Sequence, residues 1–267
     1  MIFSYQLRLL LKKLPEGHSK SLIKNISSFV MNKLPLPIEM IIIDGEKIRV
    51  YKDNVFANTA QAKELQSYTT YYKINKGDYI LEAGAYTGLF TVFASKKVGR
   101  AGKVISFEPD PYNRIMLKRN LELNKVKNVI IVNKGLYSKD DQLPFDIQSI
   151  GSNIVSLNTP FHNRKTINHI AVTTADSELK RLKINKIDLV TMDIEGAEIE
   201  AMQGFKETIK KNRGIMFAIA SYHIIDGKKT KFFLEKFFKT LKFNVKTEDN
   251  GQLTTYASRK KFPGKSK

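Results

Sequence analysis

The sequence has no cysteine among its 267 residues. Disulfide frameworks, thiolate nucleophiles and cysteine-ligated zinc or iron–sulfur sites are therefore excluded. A chain without cysteine gives no sign of secretion, so we expect it in the cytoplasm. The sequence also lacks any run of about 18 apolar residues, which a membrane-spanning helix would require.

Acidic residues are scarce relative to basic ones. The chain has 45 Lys and Arg residues against 26 Asp and Glu residues, a formal net charge of +19. Such an excess favours polyanionic partners, including nucleic acid, anionic lipid head groups and acidic sugars. The lysines are spread along the whole chain, so simple solvation of the surface is a slightly better interpretation of the charge.

Residues 1–75 are predicted to form an N-terminal α/β accessory cap. Residues 1–14 have an apolar helical face, which would either pack on the domain or lie peripherally on an anionic membrane surface. A second helix is expected over residues 21–34 and a third over residues 60–72. Between them, Asp44 and Gly45 separate two apolar runs, a pattern typical of a β-hairpin.

Residues 76–258 alternate between short apolar segments and helical ones. This alternation predicts an α/β domain with a mostly parallel sheet and helices on both faces. The last two strands flank Asn250-Gly251 as a closing hairpin, so at least one strand must be antiparallel. We further expect a hairpin or lid within residues 139–168, Asp176 as the cap of a helix over residues 177–182, one helix over residues 199–211, and a disordered basic tail over residues 259–267.

The candidate site lies where the predicted strands end. In open α/β sheets, ligands bind outside the carboxyl ends of the strands. Polar or glycine residues stand at every such position of this chain, namely Glu82, Glu108, Gly135, Asp193 with Glu195, and His223.

The first strand runs into a glycine turn and then a helix. Gly84 and Gly88 are four residues apart, and Glu82 stands two residues before the first of them. The middle glycine of a G-x-G-x-x-G dinucleotide turn is missing, which makes an NAD-dependent dehydrogenase a distant alternative. A carboxylate here would repel a pyrophosphate but suits a ligand with an ammonium group. The alternative interpretation is a tight turn without a ligand.

Carboxylates follow the later strands as well. Glu108 comes 26 residues after Glu82, where it can accept both ribose hydroxyls of an adenosine or, alternatively, cap the next helix. Asp193 and Glu195 would point to the same side of an extended segment and orient a substrate hydroxyl or a cationic donor. These two carboxylates are too few for a hard cation, so no metal ligand is predicted. They could instead cap a helix together with Glu198, for which capping is the favoured role.

His223 follows Tyr222 at the end of the fifth strand. Histidine is the usual general base near neutral pH. A hydrogen-bonded structural histidine is an equally good interpretation of this position.

In their order and content, these segments resemble the FkbM-like family of S-adenosylmethionine-dependent class I methyltransferases. The resemblance covers residues 77–225 and rests on the segments EAGAYTGLFT (82–91), SFEPDP (106–111), NLELN (120–124), TTAD (173–176), DLVTMDIEGAE (188–198) and YH (222–223). It implies a Rossmann-like methyltransferase sheet, S-adenosyl-L-methionine as the donor, and O-methylation of a hydroxyl on a small molecule, sugar or glycolipid.

The resemblance also implies roles for individual residues. Glu82 and Gly84, with Tyr86 and Gly88, would hold the methionine end of the donor. The ribose would bind Glu108 beside Pro109, and the adenine would lie near Gly135 and Leu136. The reacting methyl group would face Asp193 and Glu195, with Asp193 or His223 as the base.

The chain departs from the family pattern at two positions. Tyr86 stands where the family often has asparagine, and Thr191 stands where it often has lysine, so this position supplies no lysine to the reaction. An RNA methyltransferase would suit the charge, although the Asn/Asp-Pro-Pro-Tyr signature of nitrogen-methylating enzymes is missing. The other alternative is a non-catalytic protein with a degenerate methyltransferase fold that binds a membrane or nucleic acid.

Overall fold

The computed structural model describes residues 36–51, 62, 65–146, 153–154 and 167–263. The helices predicted over residues 1–14 and 21–34 lie outside these residues. In chain order, the elements are β1 (Ile38–Ile43), β2 (Glu46–Tyr51), β3 (Tyr79–Ala83), α1 (Leu89–Val98), β4 (Lys103–Phe107), α2 (Pro111–Leu123), β5 (Val129–Val132), β6 (Gly135–Leu136), β7 (Asp141–Asp146), β8 (Asn153–Ile154), β9 (Ile167–Thr173), α3 (Ala175–Arg181), β10 (Leu189–Met192), α4 (Glu198–Gln203), α5 (Lys206–Lys211), β11 (Met216–Ala220), β12 (Ile224–Ile225), β13 (Lys228–Lys229), α6 (Thr230–Thr240), β14 (Asn244–Asp249) and β15 (Leu253–Ser258).

A seven-stranded sheet forms the centre of the fold, in the spatial order β14–β15–β11–β10–β3–β4–β5. Neighbouring strands from β11 to β5 are parallel, whereas β15 runs antiparallel to both β11 and β14. The predicted α/β fold with a mostly parallel sheet and a closing antiparallel hairpin is therefore confirmed. The order along the chain reverses between β3 and β10, which is where such sheets bind ligands.

Both faces of the sheet are buried. Successive side chains of a strand point to opposite faces, and Ile80 and Leu81 accordingly pack into two different hydrophobic clusters. The same division separates Val104 from Ile105 on the next strand. Because both faces must be covered, the central strands are continuous apolar runs, which is typical of parallel sheets with helices on both sides.

The N-terminal hairpin packs on this core. Its turn, Asp44-Gly45, has positive φ angles of 45° and 77°, as the sequence predicted for an Asp-Gly turn. From β2, Ile48 and Val50 are buried in the cluster beneath α1. Asn120 of α2 accepts a hydrogen bond from the Tyr51 N–H at 2.9 Å. The hairpin is thus anchored to the main domain, and a boundary at residue 75 stays a prediction.

A second sheet follows β5, with the strand order β6–β9–β7–β8. Strand β7 is antiparallel to both β8 and β9, so the predicted hairpin within residues 139–168 is confirmed for the part that the structure describes. Strand β9 is longer than the sequence indicated and begins at Ile167.

Two predictions about the helices on either side of β10 are wrong. The predicted helix over 199–211 is divided into α4 and α5 at Gly204, where an added Cβ would lie 2.6 Å from the Tyr137 carbonyl oxygen. Asp176 lies inside α3, which is capped instead by Thr174. The Asp176 carboxylate accepts hydrogen bonds from the N–H and hydroxyl of Thr208 at 2.8 and 2.7 Å, so it holds the start of α5.

The basic tail is ordered over its first residues. The Arg259 guanidinium donates to the Ile209 carbonyl at 3.1 Å, and the Phe262 ring lies 5.1 Å from the ring of Tyr71. The predicted disorder is therefore wrong for residues 259–263, because these side chains pack on the domain. Residues 264–267 lie outside the described part of the chain. Among the described residues, no helix combines the length and the apolar composition that a membrane span requires.

Candidate active site

The glycine turn after β3 is joined to the ends of both neighbouring strands. The N–H groups of Gly84 and Ala85 donate to the Phe107 carbonyl at 3.0 and 3.1 Å. On the other side, a Cβ added to Gly84 would lie 1.9 Å from the Asp193 carbonyl oxygen. With φ of 86°, this position requires glycine both for its conformation and for the close approach of the chain after β10. The turn therefore brings the predicted site residues of three strands together.

Tyr86 and Glu108 connect the turn to the end of β4. Tyr86 has a φ of 50°, a left-handed conformation that costs a non-glycine residue about 1–2 kcal/mol. Its N–H donates to Glu108 Oε2 at 2.7 Å. The other carboxylate oxygen accepts from the Asp110 N–H at 2.8 Å. The Glu108 carboxylate therefore fixes the backbone of the turn, at the position predicted to bind the donor.

Glu108 is 4% exposed. Burial, with a smaller contribution from the Asp110 charge, raises the pKa of its carboxyl to about 8. Asp110, and not Glu108, caps the next helix: its carboxylate accepts a hydrogen bond from the Tyr112 N–H at the start of α2.

Glu82 points into the interior of the domain. Its Oε2 accepts hydrogen bonds from the Thr91 hydroxyl at 2.6 Å and the Ser106 hydroxyl at 2.7 Å. Burial raises the pKa of this carboxyl to about 7, although both hydrogen bonds lower it. One carboxylate oxygen of Glu82 is therefore engaged in hydrogen bonds within the domain. Contact of Glu82 with a donor stays a prediction.

The remaining predicted donor residues frame the turn or lie in β6. Gly88 precedes α1 with φ of 87°, and α1 has neither a capping side chain nor an acidic residue in its first turn. The Pro109 carbonyl accepts a hydrogen bond from Arg114. Gly135 and Leu136 are buried and pair with β9. The donor-binding roles of these four residues stay predictions.

Asp193, Glu195 and His223 come together at the ends of β10 and β11. One ligand atom of each lies within 4.8 Å of the others. His223 Nε2 is 3.5 Å from Asp193 Oδ1 and 3.4 Å from Glu195 Oε2. Glu195 has a φ of 55° and is followed by Gly196 at 102°, so the loop turns sharply there. The structure therefore brings together all three residues predicted to be catalytic.

Glu198 approaches the same histidine from the opposite side. Its carboxylate is fully buried, and Oε1 lies 3.1 Å from His223 Nδ1. The same oxygen accepts from the N–H groups of Ile194 and Gly196 at 3.1 and 3.2 Å, so it fixes the loop before α4. Glu198 is an acidic residue in the first turn of α4, as the sequence favoured, but no side chain caps this helix. Its contact with His223 was not predicted, because it depends on how β11 lies beside the α4 terminus.

The surrounding carboxylates decide the charge of His223. Burial lowers its pKa, but the contacts with Glu195 and Glu198 and the charge of Asp193 outweigh burial and raise the pKa to about 10. The imidazolium form cannot accept a proton. Of the two predicted bases, the structure therefore favours Asp193.

Two further contacts of Asp193 were missed by sequence reasoning. The Tyr222 hydroxyl donates to Asp193 Oδ2 at 3.1 Å, and the Gln252 amide donates to the same oxygen at 3.3 Å. The Tyr222 ring also packs on the His223 ring, with centroids 4.1 Å apart. Its position beside His223 in the sequence could have identified Tyr222 as a site residue. No local pattern identifies Gln252, which lies directly before β15.

The chain is similar in sequence to known methyltransferases. The family described as "Methyltransferase FkbM domain" matches residues 82–251. "Methyltransferase sdnD" of Sordaria araneosa is 30% identical over 158 residues, covering 48% of this chain and 61% of the relative. The chain thus spans less than two thirds of that relative's length.

A second relative is "Probable cobalt-precorrin-6B C(15)-methyltransferase (decarboxylating)" of Thermoplasma volcanium, 28% identical over 143 residues, or 50% of this chain and 69% of the relative. Among solved structures, fibrillarin of Aeropyrum pernix with bound S-adenosyl-L-methionine has a TM-score of 0.48 at 13% identity and covers 82% of each chain. The family match extends over more than half of the chain and contains the glycine turn, Glu108 and the Asp193 cluster. The chain therefore belongs to the FkbM family of S-adenosylmethionine-dependent methyltransferases.

Proposed function

We propose that this protein transfers a methyl group from S-adenosyl-L-methionine to a hydroxyl oxygen of a small molecule, a sugar or a glycolipid. The observation that carries this proposal is the contact of Gly84 with Asp193, since it places the predicted donor turn directly against the predicted acceptor residues. The family match supports the donor, and the acceptor class rests on the acidic cluster.

Donor binding is assigned to the turn and to Glu108. The turn residues, with Glu82 behind them, would hold the methionine end beside the N-terminus of α1, which has no capping side chain. Glu108 would accept the ribose hydroxyls beside Pro109, and Gly135 with Leu136 would flank the adenine. A sulfonium donor is already activated, so alignment of sulfur, methyl carbon and acceptor oxygen is the main task of the protein.

The transfer requires one proton acceptor. The acceptor hydroxyl attacks the methyl carbon as the carbon–sulfur bond breaks, giving a methyl ether, S-adenosylhomocysteine and one proton. Asp193 would take that proton, and Glu195, whose side chain is one-third exposed, would orient the acceptor. Tyr222 is 38% exposed beside them and offers an apolar face to a sugar or small ring.

The test is transfer measured as release of S-adenosylhomocysteine with a panel of sugars, glycolipids and phenolic or aliphatic alcohols. Asp193→Ala should abolish transfer while the affinity for S-adenosylhomocysteine changes by only a few-fold. Unchanged turnover in this variant would remove Asp193 from the mechanism.

The charge of +19 supports a second candidate, an RNA acceptor. Binding driven by phosphate contacts would fall steeply with salt. A short RNA that binds at low salt and becomes methylated would favour this candidate. Salt-sensitive binding without methylation would identify only surface attraction.

Peripheral contact with an anionic membrane is a further proposal. It is supported by the basic charge and by the outward face of β1, where Ile38, Met40 and Ile42 are 53%, 57% and 65% exposed. Cosedimentation with vesicles of anionic lipid, compared with zwitterionic vesicles, tests it. Binding to neither vesicle would exclude the contact, and the triple variant I38S/M40S/I42S tests whether this face is responsible.

A further inference from the structure

The cluster at the ends of β10 and β11 has the geometry of a metal site. Asp193, Glu195 and His223 each contribute one atom to a group in which no two atoms are more than 4.8 Å apart. The His223 side chain is 10% exposed, and its Nε2 is buried without a hydrogen-bond partner. Nε2 therefore points into the cluster without making a directional bond that would explain its position.

The two distances from His223 to the carboxylates agree with a shared central ion. A metal–ligand distance of about 2.1 Å places neighbouring ligand atoms about 3.0 Å apart in an octahedral sphere and about 3.4 Å apart in a tetrahedral one. The two distances from His223 Nε2, 3.5 Å to Asp193 Oδ1 and 3.4 Å to Glu195 Oε2, are close to these values. Direct hydrogen bonds would be shorter, typically about 2.7–3.2 Å.

The groups around the three ligands are arranged as they are around bound metals. Glu198 Oε1 lies 3.1 Å from His223 Nδ1 and is itself fixed by two backbone N–H groups. A carboxylate in this position keeps the proton on Nδ1 and leaves Nε2 for the metal. Tyr222 and Gln252 in turn hold one oxygen of Asp193.

The formal charges also favour a cation. Three carboxylates, Asp193, Glu195 and Glu198, surround one imidazole, and Glu198 is fully buried. Buried charges are stable only when paired or bound to a metal. A divalent cation would offset the excess negative charge where a single imidazolium does not.

From these observations, we propose that Asp193, Glu195 and His223 bind a divalent transition-metal ion such as Mn²⁺, Fe²⁺ or Zn²⁺. One nitrogen and two carboxylate oxygens suit these metals better than Mg²⁺ or Ca²⁺, which prefer oxygen alone. Three protein ligands leave positions for water or an acceptor oxygen. Only this last use depends on the proposed transfer reaction; the binding of the metal does not.

The test is metal binding by the full chain after chelation and dialysis. Loss of the free Mn²⁺ signal in electron paramagnetic resonance, and calorimetry with Zn²⁺, should both show one site per chain. His223→Ala and Asp193→Asn should each weaken binding at least tenfold. His169→Ala removes an exposed histidine of β9 and should leave the affinity unchanged.

Glu195→Gln covers the case in which the His223 variant fails to fold, because Glu195 is partly exposed. It should also weaken binding at least tenfold. No binding by the folded wild type, or equal affinity in the wild type and the Glu195→Gln variant, would overturn the metal site. Titration of S-adenosylhomocysteine into the metal-free protein separates the two proposals. If the protein binds S-adenosylhomocysteine but no metal, only the metal site is overturned. If it binds metal but no S-adenosylhomocysteine, only the transfer function is overturned.

Discussion

Glu82 and Thr191 are register partners on the adjacent parallel strands β3 and β10, and both side chains are buried. Ser106 is the partner of Glu82 on the other side and donates to its carboxylate, so the three side chains share one face of the sheet. Thr191 is one of the two positions at which the sequence departs from the pattern of the family it resembles. Threonine supplies no charge there, and burial raises the pKa of Glu82 to about 7.

Replacement of Glu82 by glutamine should change how stability depends on pH. The carboxyl has a raised pKa in the folded state, so its contribution to stability is complete below about pH 4.5 and is lost as pH rises through about 7. The free energy of unfolding of the wild type should therefore fall relative to Glu82→Gln over this interval, by at most about 3 kcal/mol.

Urea unfolding at pH 5, 7 and 8.5 gives this difference. Glu122→Gln on the exposed face of α2 serves as the control and should show no such trend. A constant difference between Glu82→Gln and the wild type at all three pH values would contradict a raised pKa.

Lysine at position 191 should interact strongly with Glu82. In the Thr191→Lys variant the ammonium group would face the carboxylate across one strand spacing. In the double variant with Glu82→Gln, the cation would be buried without its partner, which is strongly destabilising. A double-mutant cycle by chemical denaturation should give a coupling energy of about 2 kcal/mol or more. Additive effects would show that the two side chains do not meet.

Alanine at Gly84 should disrupt the site as well as the fold. The added Cβ would overlap the Asp193 carbonyl oxygen at 1.9 Å, and φ of 86° is unfavourable for alanine. We expect a loss of at least about 2 kcal/mol of stability and loss of donor binding. Gly214→Ala is the matched control, because a Cβ added at Gly214 would have no atom within 4 Å. Equal stability of the two variants would contradict the tight approach of β3 and β10.

Glutamine at Glu108 should weaken donor binding more than it weakens the fold. The amide cannot accept at both ends, so either the Tyr86 N–H or the Asp110 N–H loses its acceptor, and a ribose hydroxyl has only one oxygen left to donate to. We expect the affinity for S-adenosylhomocysteine to fall at least tenfold in calorimetry. Glu122→Gln, which is remote from the turn, should bind like the wild type. An unchanged affinity of a folded Glu108→Gln variant would remove Glu108 from the donor site.

The sequence predicted those parts of the fold that depend on residues close together in the chain. Apolar runs predicted the central strands, and Asp44-Gly45 predicted its hairpin. The cap of α5 could not be predicted, because Asp176 reaches Thr208 only after the chain has passed through β10 and α4. Position 204 has no room for a side chain because a Cβ there would lie 2.6 Å from the Tyr137 carbonyl oxygen, a contact that no helical pattern predicts.

The sequence predicted which residues form the candidate site, but not most of the contacts between them. The strand-end rule placed Asp193, Glu195 and His223 together from the sequence alone. The proton balance of His223 depends on Glu198, whose buried contact arises from the packing of α4 against the end of β11. Gln252 approaches Asp193 from the loop before β15, about 60 positions later, so only the folded sheet brings the two together.

Calorimetric titration of the full chain with S-adenosylhomocysteine, beside a titration with NAD, is the decisive test of the donor site. We expect one site per chain for S-adenosylhomocysteine, weakened in Glu108→Gln, and no binding of NAD. A folded wild-type protein that binds NAD, or that fails to bind S-adenosylhomocysteine, would contradict this expectation.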